Sequence, residues 1–205
     1  MHLPPPSADF VPPPAGTHLA VCYRVIDLGT QLSSFQGETK HARKIMLSWE
    51  LPDEKMDDGR PFSISKRYTW SSHEKASLRG DLESWRGAKF APEEIVRFDT
   101  RTLLGKACLL GVLHNNRDGK NYANIASVMK PPKGTVAPSL VNKQVYLSLA
   151  EFDQATFDAL SDGLRDTIRK SPEFAQLSRK ASASDGPDED SYGARRDDLD
   201  DEIPF

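Results

Sequence analysis

Residues 41–70 read HARKIMLSWELPDEKMDDGRPFSISKRYTW, and this stretch decides the fold class. From His41 to Leu51 the side chains alternate, with Ile45, Leu47, Trp49 and Leu51 on one face and Lys44, Met46, Ser48 and Glu50 on the other. A period of two with one apolar face predicts a strand buried on one side. Asp53 to Pro61 follows as a turn built on Asp58-Gly59, a strong hairpin signal between two extended runs. Phe62 to Trp70 then returns as a strand, with Phe62, Ile64, Lys66, Tyr68 and Trp70 on one face and Ser63, Ser65, Arg67 and Thr69 on the other.

Upstream, residues 17–30 are dense in β-branched and aromatic residues and predict a long first strand. Residues 31–40 (QLSSFQGETK) are polar, contain Gly37, and read as a loop or bulge. Residues 1–15 hold Pro4, Pro5, Pro6, Pro12, Pro13 and Pro14, which makes them an extended, flexible arm.

Downstream, Ser71 or Ser72 is placed to cap a helix whose apolar face is Leu78, Leu82 and Trp85 and whose stop is Gly87. Pro92-Glu93-Glu94 opens a second short helix. Residues 103–114 form the most apolar run and predict a central strand, turned at residues 115–120 into another strand from Asn121 to Met129. After Pro131, Pro132 and Gly134, residues 138–149 add a strand and residues 151–169 a helix with Phe152, Phe157, Leu160 and Leu164 on its apolar face. No apolar periodicity survives beyond Ser178, so residues 178–205 read as a disordered linker and tail.

The expected fold is therefore mainly β, in the order strand, strand, strand, helix, strand, strand. A five-stranded oligonucleotide-binding (OB-fold) barrel has this order, with its helix between strands three and four. The domain boundaries that follow are a proline-rich arm at 1–15, the barrel at 16–137, a strand and helical extension at 138–177, and a linker with an acidic tail at 178–205.

Composition narrows the function. With 38% apolar and 28% charged residues, the chain suits a globular core with polar extensions. No apolar run approaches the roughly 20 residues of a membrane span, and no signal peptide pattern opens the chain, so a cytoplasmic protein is expected. Cys22 and Cys108 lie in apolar, strand-like segments and read as buried, reduced thiols. The net charge of −3 conceals an asymmetry: residues 185–205 carry nine acids against Arg195 and Arg196, a charge of −7, which leaves +4 on residues 1–184.

Binding an unpaired strand without reading its sequence takes cations along the phosphates and aromatic faces for the bases. The second and third strands and their flanks supply Lys40, Arg43, Lys44, Arg60, Lys66 and Arg67 as cations, and Phe35, Trp49, Phe62, Tyr68 and Trp70 as rings. The segment after the fourth strand adds Arg117, Lys120 and Tyr122. Trp49 shares a face with Ile45 and Leu47 and reads as core, as does Trp85. Tyr68 and Trp70 share a face with Lys66, whose charge is costly to bury unpaired, which predicts a solvent-facing platform. Phe62 and Ile64 on the same face pull part of it inward.

Enzyme readings fare badly. Asp53-Glu54-Lys55 sits in a turn without a second acidic partner, Glu93-Glu94 belongs to a helix start, and the five histidines lack ligand spacing. There is no phosphate-binding Gly-Lys-Thr loop and no nucleophile elbow. Neither catalysis nor a metal or other cofactor is expected.

The last nine residues, Asp197-Asp198-Leu199-Asp200-Asp201-Glu202-Ile203-Pro204-Phe205, join five carboxylates to a short apolar end. They closely resemble the C-terminal peptide of bacterial and bacteriophage single-stranded DNA-binding proteins. That resemblance implies a protein that coats single-stranded DNA in replication, recombination and repair, in the host cytoplasm if phage-encoded. It also implies recruitment of partner enzymes through the tail: Phe205 in an apolar pocket, its carboxylate on a basic side chain, and Asp197, Asp198, Asp200, Asp201 and Glu202 on a basic rim, with Ile203 and Pro204 beside the ring. The proline-rich arm and the extension after residue 138 depart from the bacterial pattern and leave the oligomeric state open. Two rivals stand beside this reading. One is an adaptor that competes for a host enzyme's tail-docking pocket without binding DNA; the other is a nuclease or annealing factor.

Overall fold

The computed structural model describes residues 11–35, 38–117 and 119–184, with side chains at all of these except 33–35 and 180–184. Two long strands, β1 (Gly16–Phe35) and β2 (Glu38–Lys55), pair antiparallel from Val21↔Glu50 to Phe35↔Glu38. The polar stretch expected to form a loop after residue 30 is thus part of a two-stranded ribbon. Backbone pairing needs no apolar side chain, so composition alone misplaces it. β1 carries register shifts at Cys22/Arg24 and Asp27/Gly29. Irregularities of this kind bend a strand and raise its twist.

Next come β3 (Pro61–Thr69), α1 (Ser77–Arg86), α2 (Pro92–Val96) and a 3-10 turn at Thr100–Leu103. They lead into β4 (Ala107–Arg117), β5 (Lys120–Met129) and β6 (Val145–Leu147). The chain continues through α3 (Gln154–Asp158), α4 (Asp162–Arg169) and α5 (Pro172–Ser184). The strands order as β3-β2-β1-β4-β5 with antiparallel neighbours, and β6 runs parallel to β1 at Arg24–Ile26. The outer strands β3 and β5 touch, and α1 packs on both. The protein is mainly β, as its alternating runs predict. Among the described residues no helix is long and apolar enough to cross a membrane.

One cluster fills the space between the sheet and α1. Ile45, Leu47, Trp49 and Leu51 are buried as their alternation predicts, against Leu78, Leu82 and Trp85. The Trp49 and Trp85 rings lie 6.0 Å apart, and Trp85 Nε1 donates to the Ala107 carbonyl at 2.7 Å. Cys22 and Cys108 are buried and free, and burial pushes the Cys22 thiol up to about 12. Gly87 ends α1 in a left-handed conformation, φ 76°, as expected. The helix starts later than the serines suggest: its N-cap is Ala76, and Ser71 Oγ instead accepts from the His73 amide in a local turn.

The opposite face of β1 and β2 differs from expectation. Met46, Ser48 and Glu50 are buried, not solvated. Ile26, Leu28 and Met46 are covered by Leu147, Leu149, Phe157, Leu160, Leu164 and Ile168 of the extension. Two buried carboxylates hold it there. Glu50 accepts from the amides of Val141 (2.9 Å) and Asn142 (2.8 Å) and from Asn142 Nδ2 (2.6 Å). Asp27 accepts from the amides of Gly29 (2.9 Å) and Leu149 (3.2 Å) and from Arg43 Nη2 (2.6 Å). A charge so surrounded by donors tolerates burial.

The single helix expected over residues 151–169 is two, α3 and α4, interrupted where Ser161 takes an extended conformation before α4. α5 runs to Ser184, past the point where a disordered linker was expected, because Phe174 and Leu177 still pack against the second cluster. Gly29, at φ 68°, lets Ser171 approach so closely that a Cβ there would lie 2.4 Å from the serine Cβ. The proline arm is described from residue 11; the Pro13 and Pro14 carbonyls meet His114 Nε2 (2.7 Å) and His18 Nε2 (2.9 Å).

Ile168 is fully buried in the second cluster. Ile168→Ala is expected to cost about 2–5 kcal/mol in urea unfolding and to raise hydrogen exchange over residues 145–169 first. Glu173 ties α5 to β1 by accepting from the Thr30 amide (2.8 Å) and hydroxyl (2.5 Å). Burial opposes its ionisation, but the Thr30 donors and the Arg43 charge outweigh it and hold its pKa below the usual 4.5. A depressed folded pKa contributes stability above the unfolded value and loses it as pH falls through the folded one. Acidification below about 4.5 should therefore loosen α5, read as rising exchange of the Thr30 amide, and Glu173→Gln should flatten that response.

Candidate nucleic-acid interface

Beyond the buried pair Val112↔Ile125, the β4–β5 ladder continues as an exposed hairpin through Leu113↔Asn124, Asn115↔Tyr122 and Arg117↔Lys120. Facing residues of an antiparallel pair share a side, and sides alternate along each strand. Leu113, Asn115 and Arg117 therefore share the outer face with Lys120, Tyr122 and Asn124. Tyr122 is 47% exposed and Leu113 58%. Residues 115–120, expected as a turn, are mostly strand: β4 reaches Arg117, β5 starts at its partner Lys120, and Gly119 sits at φ 75°. The outcome is a phenol ring with Lys120 two positions along its own strand and Arg117 diagonally across the ladder, an arrangement chemically suited to a stacked base and its flanking phosphates.

The other expected cations are spread along the β1–β2 ribbon and β3. Arg43 binds Asp27 and lies with its guanidinium 4.8 Å from the Trp70 ring centre, while the Trp70 amide donates to the Arg43 carbonyl at 2.8 Å. The hydrogen bond to Asp27 holds the Arg43 pKa above its usual value. Trp70 is 38% exposed. Lys44 Nζ donates to Thr69 Oγ1 at 2.8 Å, and Lys40 pairs with Glu38 at 2.7 Å where both are solvated. Arg60 pairs with Asp58 in the β2–β3 turn at 2.6 Å. Arg67 is exposed on the outer side of β3 beside Ser63, Ser65 and Thr69, where no ring accompanies it.

Tyr68 corrects the expected platform. It is 2% exposed and part of the first cluster, and its hydroxyl donates to Asp81 Oδ2 at 2.8 Å. Lys66 Nζ donates to the same oxygen at 2.7 Å. The expectation assumed a lysine without a partner; Asp81 of α1 supplies one, so the face turns inward. Burial, and then the Asp81 charge, push the Tyr68 phenol far above its ordinary range. Trp49 and Phe62 are core as well. The Phe35 side chain and residues 197–205 lie outside the described residues.

The cation and ring set is thus divided. Arg117, Lys120 and Tyr122 come together, Arg43 and Trp70 form a second pair, and Tyr68, Trp49 and Phe62 belong to the core. Reading residues 103–114 as a central apolar strand and 115–120 as a turn missed Leu113 as a member of the hairpin face. Among the described residues no group of three or more His, Cys, Asp and Glu side chains is placed to hold a metal ion. No protein-family model matches the chain, and no curated protein sequence matches it.

Tyr68→Phe removes a buried hydrogen bond to a carboxylate. It should lower stability by about 1.5–3 kcal/mol in urea unfolding without changing the exposure of Trp70 to an aqueous fluorescence quencher.

Proposed function

We propose that residues 16–137 are an oligonucleotide-binding barrel that coats single-stranded DNA with little sequence preference, in replication, recombination and repair. Residues 197–205 recruit the enzymes that act on the coated strand. The observation that carries this reading is the outer face of the β4–β5 hairpin, where Tyr122 stands beside Lys120 and Arg117. Strand order supports the barrel: a helix follows the third strand, and the two outermost strands touch with α1 packed on both. In folds of this class the second and third strands and the connections between strands one and two and strands four and five bind oligonucleotides. Here the extension occupies much of the outer face of β1 and β2, which moves the binding surface toward the two hairpins.

In this reading Tyr122 and Trp70 stack bases, and Arg117, Lys120, Arg67, Lys40 and Lys44 follow the phosphates. Arg43 acts through Trp70, as its charge is already held by Asp27. The small residues Ser63 and Ser65 leave room for a sugar-phosphate chain to pass close to β3.

Fluorescence anisotropy with labelled oligo-dT, duplex DNA and RNA at two salt concentrations tests this. The full chain is expected to prefer oligo-dT to duplex. Tyr122→Ala should weaken binding about 5- to 150-fold, the equivalent of roughly 1–3 kcal/mol for one stacked base, while Tyr122→Phe holds. Lys120→Ala should reduce the slope of log K against log salt by about 0.7. A chain that binds no single strand at low salt, while residues 197–205 still bind a partner enzyme, would make it an adaptor instead.

A further inference from the structure

His18 sits between two acceptors. Its Nδ1 lies 3.0 Å from Glu54 Oε1 near the end of β2, and its Nε2 lies 2.9 Å from the Pro14 carbonyl oxygen. The side chain is only 10% exposed, so water is a poor substitute for either partner. A carboxylate and a carbonyl accept hydrogen bonds and donate none. Neutral imidazole has one N–H and must turn a lone pair toward one of them, whereas imidazolium donates to both. The geometry therefore fits the charged ring, with an ion pair to Glu54 on one side and the proline arm on the other.

The arm is shaped to meet that ring. Gly16, at φ 143°, turns the chain so that Pro14 reaches a side chain four positions later. A Cβ on Gly16 would stand 3.4 Å from His18 Nε2. Pro13 is buried, and its carbonyl accepts from His114 Nε2 at 2.7 Å. Val11 and Pro13 line an open cavity together with Met56 and Phe62 of the β2–β3 hairpin. Residues 12–14 are all proline and have no N–H to offer a ladder, so side-chain donors hold them instead. The His114 bond needs a single N–H, which a neutral ring supplies. The His18 pair needs two.

We propose that His18 is a proton-operated latch for residues 11–15. Charged, the ring ties the Pro14 carbonyl to β1 and, through Glu54, to β2. On losing a proton it keeps the charge-assisted bond to Glu54, the stronger of the two, and its Nε2 lone pair then opposes the Pro14 oxygen. The ionisable groups of this constellation are Glu54 of β2 and His114 of β4; residues 11–15 bring none. Imidazolium is the binding form, so the hold is complete at low pH and is lost as pH rises through the histidine range. Residues 1–10 are joined to the body through this segment, so the latch sets how firmly they are tethered. It works whether or not the body binds DNA.

A nitroxide label on Val11→Cys in the full chain reads the arm by its spectral mobility. Val11 is 59% exposed, and Cys22 and Cys108 are buried and stay unlabelled. The mobile fraction is expected to rise at least about threefold from about pH 5.5 to about pH 9, either side of the histidine range, for the loss of one hydrogen bond. Glu54→Gln should abolish the response and leave the arm held at both pH values. Its carboxamide donates to a neutral Nδ1 and accepts from a charged one, so the ring keeps its Nε2–H on Pro14 in either state. His18→Phe, which has no N–H, should leave the arm mobile at both. Mobility indifferent to pH in the chain with His18 and Glu54 intact would overturn the proposal. So would a rise that persists in Glu54→Gln, which marks a general loosening, or a folded His18→Phe whose arm stays immobile. Should His18→Phe not fold, Glu54→Gln decides alone.

Discussion

One strand with three partners holds this molecule together. β1 pairs with β4 through Gly16–Val21, with β2 through Val21–Phe35 and with β6 through Arg24–Ile26. β2 takes one edge of β1, and β4 and then β6 share the other; the register shift at Cys22/Arg24, of a kind that bends a strand, falls between the lengths paired with β4 and with β6. Every other element is placed relative to that bend. β3 and β5 meet because the strands between them curve, and α1 finds a site against both.

Because β1 and β2 are long, they present two faces, and each has acquired its own core. The inner one is ordinary packing of Ile45, Leu47 and Trp49 against α1. The outer one is built by residues more than a hundred positions away and is anchored by the buried acids Asp27 and Glu50. These carboxylates are acceptors for amides that have left regular pairing where the extension arrives. Covering that face leaves the β4–β5 hairpin and the small-residue strip of β3 exposed, and not the centre of the sheet.

Charge follows a similar division. Among the described residues Arg43, Lys66, Arg79 and Arg86 are held in ion pairs, while Lys120 stands exposed on the β4–β5 hairpin and Lys106, Lys130 and Lys133 line the groove beside α1. At the hairpin they stand beside one exposed ring, Tyr122, and at the groove beside an apolar floor. The two surfaces lie at opposite ends of β4 and β5.

Much of this was legible in residue order. The alternation of Ile45, Leu47, Trp49 and Leu51, the Asp58-Gly59 turn, the Leu78-Leu82-Trp85 stripe, the Gly87 stop and the presence of a strand within residues 138–149 are all set by neighbours a few positions apart. Local spacing determines them because backbone geometry alone dictates which side chains share a face. Residue order also marked Arg117, Lys120 and Tyr122 as a group, since a tight turn brings them together whatever surrounds it. The fate of Tyr68 and Met46 was not legible. Their faces read as solvent-facing, and only the arrival of Asp81 from α1 and of the extension from residues 141–177 turned them into core. A strand's periodicity states that its two sides differ; what covers each side depends on desolvation and hydrogen bonding with segments distant in the chain, which only the folded structure brings into contact.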